Sequence, residues 1–102
     1  EESKSGIYLE GLEELLLEIA EMPSVQIKGL MTIPPICDSD AEVSQYFEAM
    51  HQTFIDIRDK KLHNVNMDIL SMGMSGDFEA AVANGSNIVR VGSAIFGARK
   101  YF

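Results

Sequence analysis

The chain is 102 residues long, 46% hydrophobic and 24% charged, the composition of one folded domain or of part of a larger one and not of a disordered tail. Sixteen acidic against eight basic residues leave a net charge of −8, which argues against a general nucleic-acid binder, whose phosphate contacts need a basic face. No apolar run approaches the roughly 20 residues of a membrane-spanning helix, and no basic-then-apolar leader opens the chain, so no membrane partner is expected. The charge is uneven. Residues 1–22 hold seven acids and one base, whereas residues 86–102 hold Arg90, Arg99 and Lys100 and no acid, so an anionic ligand is expected at the C-terminal end. The single cysteine, Cys37, has no intrachain disulfide partner and fits a reducing, cytoplasmic setting. Neither histidine sits in a motif that would pair it with a nucleophile, and no metal site is expected. The first residue is Glu1 and not Met, which suggests a processed or partial chain.

In chain order, residues 7–22 place Tyr8, Leu12, Leu15, Leu16 and Ile19 at helical spacing with Glu13, Glu14, Glu18 and Glu21 mostly opposite, and Pro23 ends the helix. Residues 25–33 form a short apolar strand closed by Pro34-Pro35. Ser39 followed by Glu42 reads as a capping box for a second helix starting near Asp40. Its apolar stripe is Val43, Tyr46, Phe47, Met50, Phe54 and Ile57, with Lys60 and Lys61 at the dipole's negative end. A second strand is expected over residues 66–70, running into a loop Ser71-Met72-Gly73-Met74-Ser75. A short helix should follow from Asp77 to Asn84 with Gly85 as its cap, then a third strand over residues 87–91. Alternating strands and helices at this spacing predict an α/β fold of parallel strands in βαβ units, and continuous pairs such as Ile69-Leu70 and Ile88-Val89 suit strands covered on both faces.

Ligands of parallel α/β proteins bind at the carboxyl ends of the strands. Two segments fall there: Ser71-Met72-Gly73-Met74-Ser75-Gly76-Asp77 and Arg90-Val91-Gly92-Ser93. Each joins glycines, which let a ligand approach the backbone, to hydroxyl donors, and each leads into a segment whose first N–H groups face outward. Arg90 adds a permanently charged planar donor suited to phosphate or to a ring nitrogen. Taken singly, Ser75 or Asp77 as a helix cap and Gly73 and Gly92 as turn residues explain the same residues. Together, on successive strand ends, they favour an anion site, and a (β/α)8 barrel often builds its phosphate site from the loops after its last two strands.

Lys4-Ser5-Gly6, the run from Lys28 to Pro34, the run from Leu70 to Ser75 and the run from Val89 to Arg99 together resemble the pyridoxal-phosphate homeostasis proteins, single-domain barrels similar to the N-terminal domain of alanine racemase. The resemblance runs in order from Glu1 to Tyr101. It implies that residues 1–102 are the C-terminal portion of one (β/α)8 TIM barrel domain that binds pyridoxal 5′-phosphate and helps control its free level, with no robust catalytic activity. Carried over by position, Ser71, Gly73 and Ser75 with Gly92 and Ser93 would hold the phosphate. Arg90 would meet the ring or the phosphate, and Met72 and Met74 would shape the pocket floor. Family members join the cofactor aldehyde to a lysine on an early strand, and Lys4, Lys28, Lys60, Lys61 and Lys100 do not match that position. A whole barrel has about 250 residues, so early strands are expected to lie outside this chain. Two other readings stay open: a fragment of a phosphosugar-type barrel enzyme, for which Asp68 is the one nearby carboxylate, and a non-enzymatic module that self-associates through open sheet edges.

Overall fold

Strand and helix alternate throughout the computed structural model, which describes residues 6–35 and 37–97. The order is α1 (Leu9–Ala20), β1 (Ile27–Thr32), α2 (Asp40–Lys60), β2 (Val65–Met74), α3 (Phe78–Ala83), β3 (Ile88–Arg90) and α4 (Gly92–Phe96). The strands form one sheet in the order β1-β2-β3, and both pairings are parallel. Among the described residues, no helix is long and apolar enough to cross a membrane. Lys4, Ser5, Arg99 and Lys100 lie outside the described residues.

Helices α1, α2 and α3 gather on one side of the sheet. Leu16 of α1, Val43, Phe47, Phe54 and Ile57 of α2, and Ala81 of α3 enclose Val65, Met67, Leu70 and Met72 of β2. Phe47, Leu70 and Met72 are completely buried, and burial of a side chain of that size stabilises the fold by about 1.5–3 kcal/mol. Tyr46, expected in the stripe of α2, is instead exposed, because the stripe narrows to the residues that face β2. Ser39 caps α2 by accepting from the Glu42 N–H at 3.2 Å. The Glu42 carboxylate accepts from the Asp38 N–H at 3.1 Å, one residue earlier than a capping box requires.

The first helix is less embedded than its periodicity suggests. Leu16 is buried and Leu12 is partly covered, but Tyr8 is exposed and stands at the N-cap outside the helix. Helix α1 leans on α2, with Lys60 donating to Glu13 at 2.7 Å, an exposed pair worth at most about 1 kcal/mol. At the amino end of the sheet, Asn64 adopts φ 64 and donates its side-chain amide to Met22 O at 2.8 Å, while its own carbonyl accepts from the Ile27 N–H at 2.8 Å. One residue thus fastens the exit of α1 to the starts of β1 and β2.

Two strand boundaries differ from the sequence reading. Strand β2 continues through Met74 instead of ending near Leu70, and β3 is three residues long. Gly29 permits the close approach of β1 to β2, since a Cβ there would collide with the Ile69 carbonyl, and the register shifts beside it. The short β3 is extended by a side chain. The Asn87 amide oxygen accepts from the Leu70 N–H at 2.8 Å, its nitrogen donates to Asp68 O at 2.8 Å, and its backbone N–H donates to Leu70 O at 3.1 Å, so the side chain continues the ladder. In Asn87→Asp the donor to Asp68 is replaced by a carboxylate oxygen facing a carbonyl. We expect a loss of about 1–2 kcal/mol, read as a lower urea midpoint at neutral pH.

Candidate functional site at the strand ends

In a parallel ladder, residues in register share a face of the sheet. Ser71 is in register with Met31 on β1 and with Ile88 on β3, and Met74 with Arg90. Met31 and Ile88 are exposed, so Ser71 lies on the face opposite the helices. Arg90, two residues beyond Ile88, lies on that face too. Its Nη2 donates to Thr32 O at 3.0 Å, so the side chain spans from β3 past the end of β2 to the carboxyl end of β1. Its Nε is buried with no hydrogen-bond partner among the described residues. A buried donor without an acceptor costs about 1–3 kcal/mol, so a ligand acceptor placed there would relieve that cost.

The segment read as a loop from Ser71 to Ser75 is mostly strand, and the turn spans residues 75–77. The Asp77 N–H donates to Met74 O at 3.1 Å and the Met74 N–H donates to the Asp77 carboxylate at 2.7 Å. These reciprocal bonds close the turn, and Asp77 precedes α3 without capping it by its side chain. The two glycines of the predicted site differ in kind. Gly73 has φ 107, and a Cβ there would lie 2.7 Å from the Ala81 Cβ and 3.2 Å from Phe78 Cα, so the packing of α3 alone demands glycine. Gly92, at the start of α4, lies outside the left-handed region, and a Cβ there would meet nothing within 4 Å. Nothing among the described residues requires glycine at position 92. Helices α3 and α4 have six and five residues, too short for a substantial macrodipole. What they offer an anion is the unbonded N–H groups of a first turn.

Met72 belongs to the core and not to a pocket floor, because it is fully buried under the helices, whereas Met74 is exposed. Beside these strand ends lies a cleft of about 410 Å³ walled by Thr32, Pro34, Pro35, Cys37, Met74 and Asp77. Of the six predicted site residues only Gly73 reaches it. The cleft flanks β1 and β2, whereas Arg90, Gly92 and Ser93 cluster at the end of β3. The bond from Arg90 to the Thr32 carbonyl, between residues 58 apart, carries no signal in the sequence beyond the position of Thr32 before Pro34-Pro35. Among the described residues, no group of three or more His, Cys, Asp or Glu is placed to hold a metal ion.

Residues 2–100 match the family model for the alanine racemase N-terminal domain, and the chain belongs to that family, whose fold is the (β/α)8 barrel; the three parallel β/α units described above are part of its wall. The chain is 44% identical over 101 residues to the pyridoxal phosphate homeostasis protein of Aquifex aeolicus, covering 99% of this chain and 43% of that one. It is 46% identical to the protein of the same name in Escherichia coli, covering 99% and 42%. It thus spans about two-fifths of the length of the curated relatives it matches. A crystal structure of a protein of unknown function from Bifidobacterium adolescentis matches with a TM-score of 0.85 at 36% identity, over 94% of this chain and 38% of that one. The structure of PipY from Synechococcus elongatus with pyridoxal phosphate bound matches with a TM-score of 0.76 at 31% identity, over 86% and 41%.

Two outcomes are expected from this geometry. Gly73→Ala should destabilise the chain by several kcal/mol and Gly92→Ala by no more than about 0.5 kcal/mol in urea denaturation, because only the first strains the backbone and overlaps a helix. Partial burial, together with the carboxylates of Glu42, Asp38 and Asp77, pushes the Cys37 thiol up. The thiolate should therefore form only at higher pH than in a free cysteine. Alkylation by iodoacetamide should be slow at neutral pH, with a pH–rate midpoint that falls in Glu42→Gln.

Proposed function

We propose that this chain supplies the phosphate-gripping side of a pyridoxal 5′-phosphate site, as the C-terminal portion of a single barrel domain, in a protein that holds the cofactor instead of turning over a substrate. The observation that carries this reading is the buried, unpartnered Nε of Arg90 beside strand ends that finish in Gly92-Ser93. The room at Gly92, where nothing among the described residues requires glycine, suits a ligand that approaches the backbone. The names of the relatives and the bound cofactor of PipY agree with it.

The phosphate is a dianion near neutral pH and is best held by several short donors. The hydroxyls of Ser75 and Ser93 and the backbone N–H groups of Gly92 and Ser93 supply them, with the missing side chain of Gly92 admitting the phosphate oxygens. Gly73 serves this set indirectly by letting α3 pack against β2, which aims the Ser75-Gly76 turn. Arg90 directs its charge along the open face toward β1 and keeps its Nε for the ring or the phosphate. Ser71 lies on the same face and bounds the cofactor from below. When bound, pyridoxal phosphate supplies a reactive aldehyde and an electron-withdrawing ring; the residues here orient the group and exclude water from one side. The phosphosugar reading draws no support from Asp68, which lies in the middle of β2 and not at its carboxyl end.

Equilibrium dialysis with pyridoxal phosphate, pyridoxal and inorganic phosphate tests this. Pyridoxal phosphate should be retained, inorganic phosphate should compete, and pyridoxal should bind at least tenfold more weakly. Arg90→Ala should weaken binding about 10- to 100-fold, as loss of one or two charge-assisted hydrogen bonds implies, and Gly92→Ala at least tenfold, because its methyl group would occupy the space proposed for the phosphate oxygens. Equal retention of pyridoxal, or unchanged binding by Gly92→Ala, would sink the proposal. Retention of a sugar phosphate in preference to pyridoxal phosphate would favour an enzyme fragment.

A further inference from the structure

The turn of residues 75–77 stands between two clefts. One, of about 410 Å³, flanks β1 and β2; the other, of about 200 Å³, is lined by the turn and the first residues of α3, and Asp40 and Asp77 line both. Ser75 shares the smaller cleft with Glu79. Among the described residues no lysine or arginine forms an ion pair with Asp40, Asp77 or Glu79. Asp77 also closes the turn, its carboxylate accepting from the Met74 N–H at 2.7 Å and its own N–H donating to Met74 O at 3.1 Å. Met74 is in register with Arg90, so these bonds fix the turn to the level at which β2 and β3 end. The bond from Met74 needs only an acceptor, which an asparagine would supply without charge. The charge is surplus to the bond.

We propose that Asp77 is a positioning residue with two opposed effects on the phosphate site. Its hydrogen bond holds the 75–77 turn, and with it the Ser75 hydroxyl, in place; its negative charge limits how tightly a phosphate dianion is gripped there. The inference rests on the phosphate reading above and deepens it. Like charges repel more strongly the closer they are and the less salt screens them, and Asp77 lies in the same three-residue turn as Ser75. A site that holds a cofactor without consuming it must also let it go. A fixed like charge beside the phosphate favours release without removing any donor from the site.

Three substitutions separate the two effects in equilibrium dialysis with pyridoxal phosphate, inorganic phosphate and pyridoxal at low salt. Asp77→Asn keeps the acceptor and removes the charge. It should bind pyridoxal phosphate and inorganic phosphate about threefold more tightly or better, with no gain for pyridoxal, which lacks the phosphate. The gain should shrink in about 1 M salt, where the Debye length falls to about 3 Å. Asp77→Ala removes charge and acceptor together. It should bind about fivefold more weakly than Asp77→Asn, with faster amide exchange at Met74 in the ligand-free chain. Asp56→Asn makes the same change in net charge about 24 Å along α2 from Asp40 and should leave affinity unchanged. No gain in Asp77→Asn, an equal gain for pyridoxal or in Asp56→Asn, or equal binding by Asp77→Asn and Asp77→Ala would overturn the proposal while the phosphate site stands. If the unsubstituted chain and all three variants retain no ligand, the phosphate reading falls and this inference with it.

Discussion

Strand β2 is hydrogen-bonded on both sides, and its two faces meet different surroundings; the rest of the molecule depends on that asymmetry. Leu70 and Met72 turn toward α2 and α3 and are wholly buried, while Ser71 between them turns to the open face. A slip of one residue in register would exchange these sets, exposing two large apolar side chains and burying a hydroxyl. The apolar contacts of the core therefore also decide which polar groups line the site. The same register places Met74 beside Arg90, so the ends of β2 and β3 meet at one level, and β1 is drawn to that level by the bond from Arg90 to Thr32 O.

Arg90 is costly to keep for structure alone. Among the described residues its guanidinium donates to the Thr32 carbonyl and buries Nε without an acceptor. A shorter or apolar residue would avoid that penalty, which matters against a total stability of about 5–15 kcal/mol. The favourable use of the position is therefore with an acceptor present: an anion or a ring nitrogen that completes the donor set. The cleft beside β1 and β2 has a different character, since Asp38, Asp40 and Asp77 line it, and partial burial together with nearby carboxylates raises the Cys37 thiol. The strand-end surface is thus divided into a side that carries Arg90 and a side lined by carboxylates.

Much of the fold was legible because helix periodicity and strand composition act locally. The burial of Phe47, Phe54 and Ile57 follows from their spacing, and the Ser39 cap from a hydroxyl three residues before Glu42. The boundary of β2 was not legible. Serines and a glycine look like a loop, but here Gly73 is fixed by a helix packed against it, a tertiary requirement that no local propensity reports. Tyr8 and Tyr46 failed for the complementary reason: a helical stripe identifies the apolar side of a helix, not how much of it another element reaches. The role of Asn87 as a piece of strand, and the contact between Arg90 and Thr32, join residues 17 to 58 positions apart and leave no pattern in one sequence. The candidate site was readable as residue types on strand ends and not as an arrangement.

Glycine-rich strand ends invite a functional reading, and two of the glycines here show how that reading can be divided. At Gly73 a positive φ and an adjacent helix already account for the residue, so its presence says nothing about a ligand. At Gly92 neither the backbone conformation nor any neighbouring atom of the described residues accounts for it, and a side chain there would stabilise the start of a short helix, since glycine is among the poorest helix formers. A residue that is suboptimal for its own element and unconstrained by its neighbours is best explained by what occupies the space beside it. That space adjoins the end of β3, the strand that carries Arg90, so the unexplained glycine and the unpartnered donor converge on one side of the molecule. Neither observation depends on the relatives, and both are what the proposed anion site draws on.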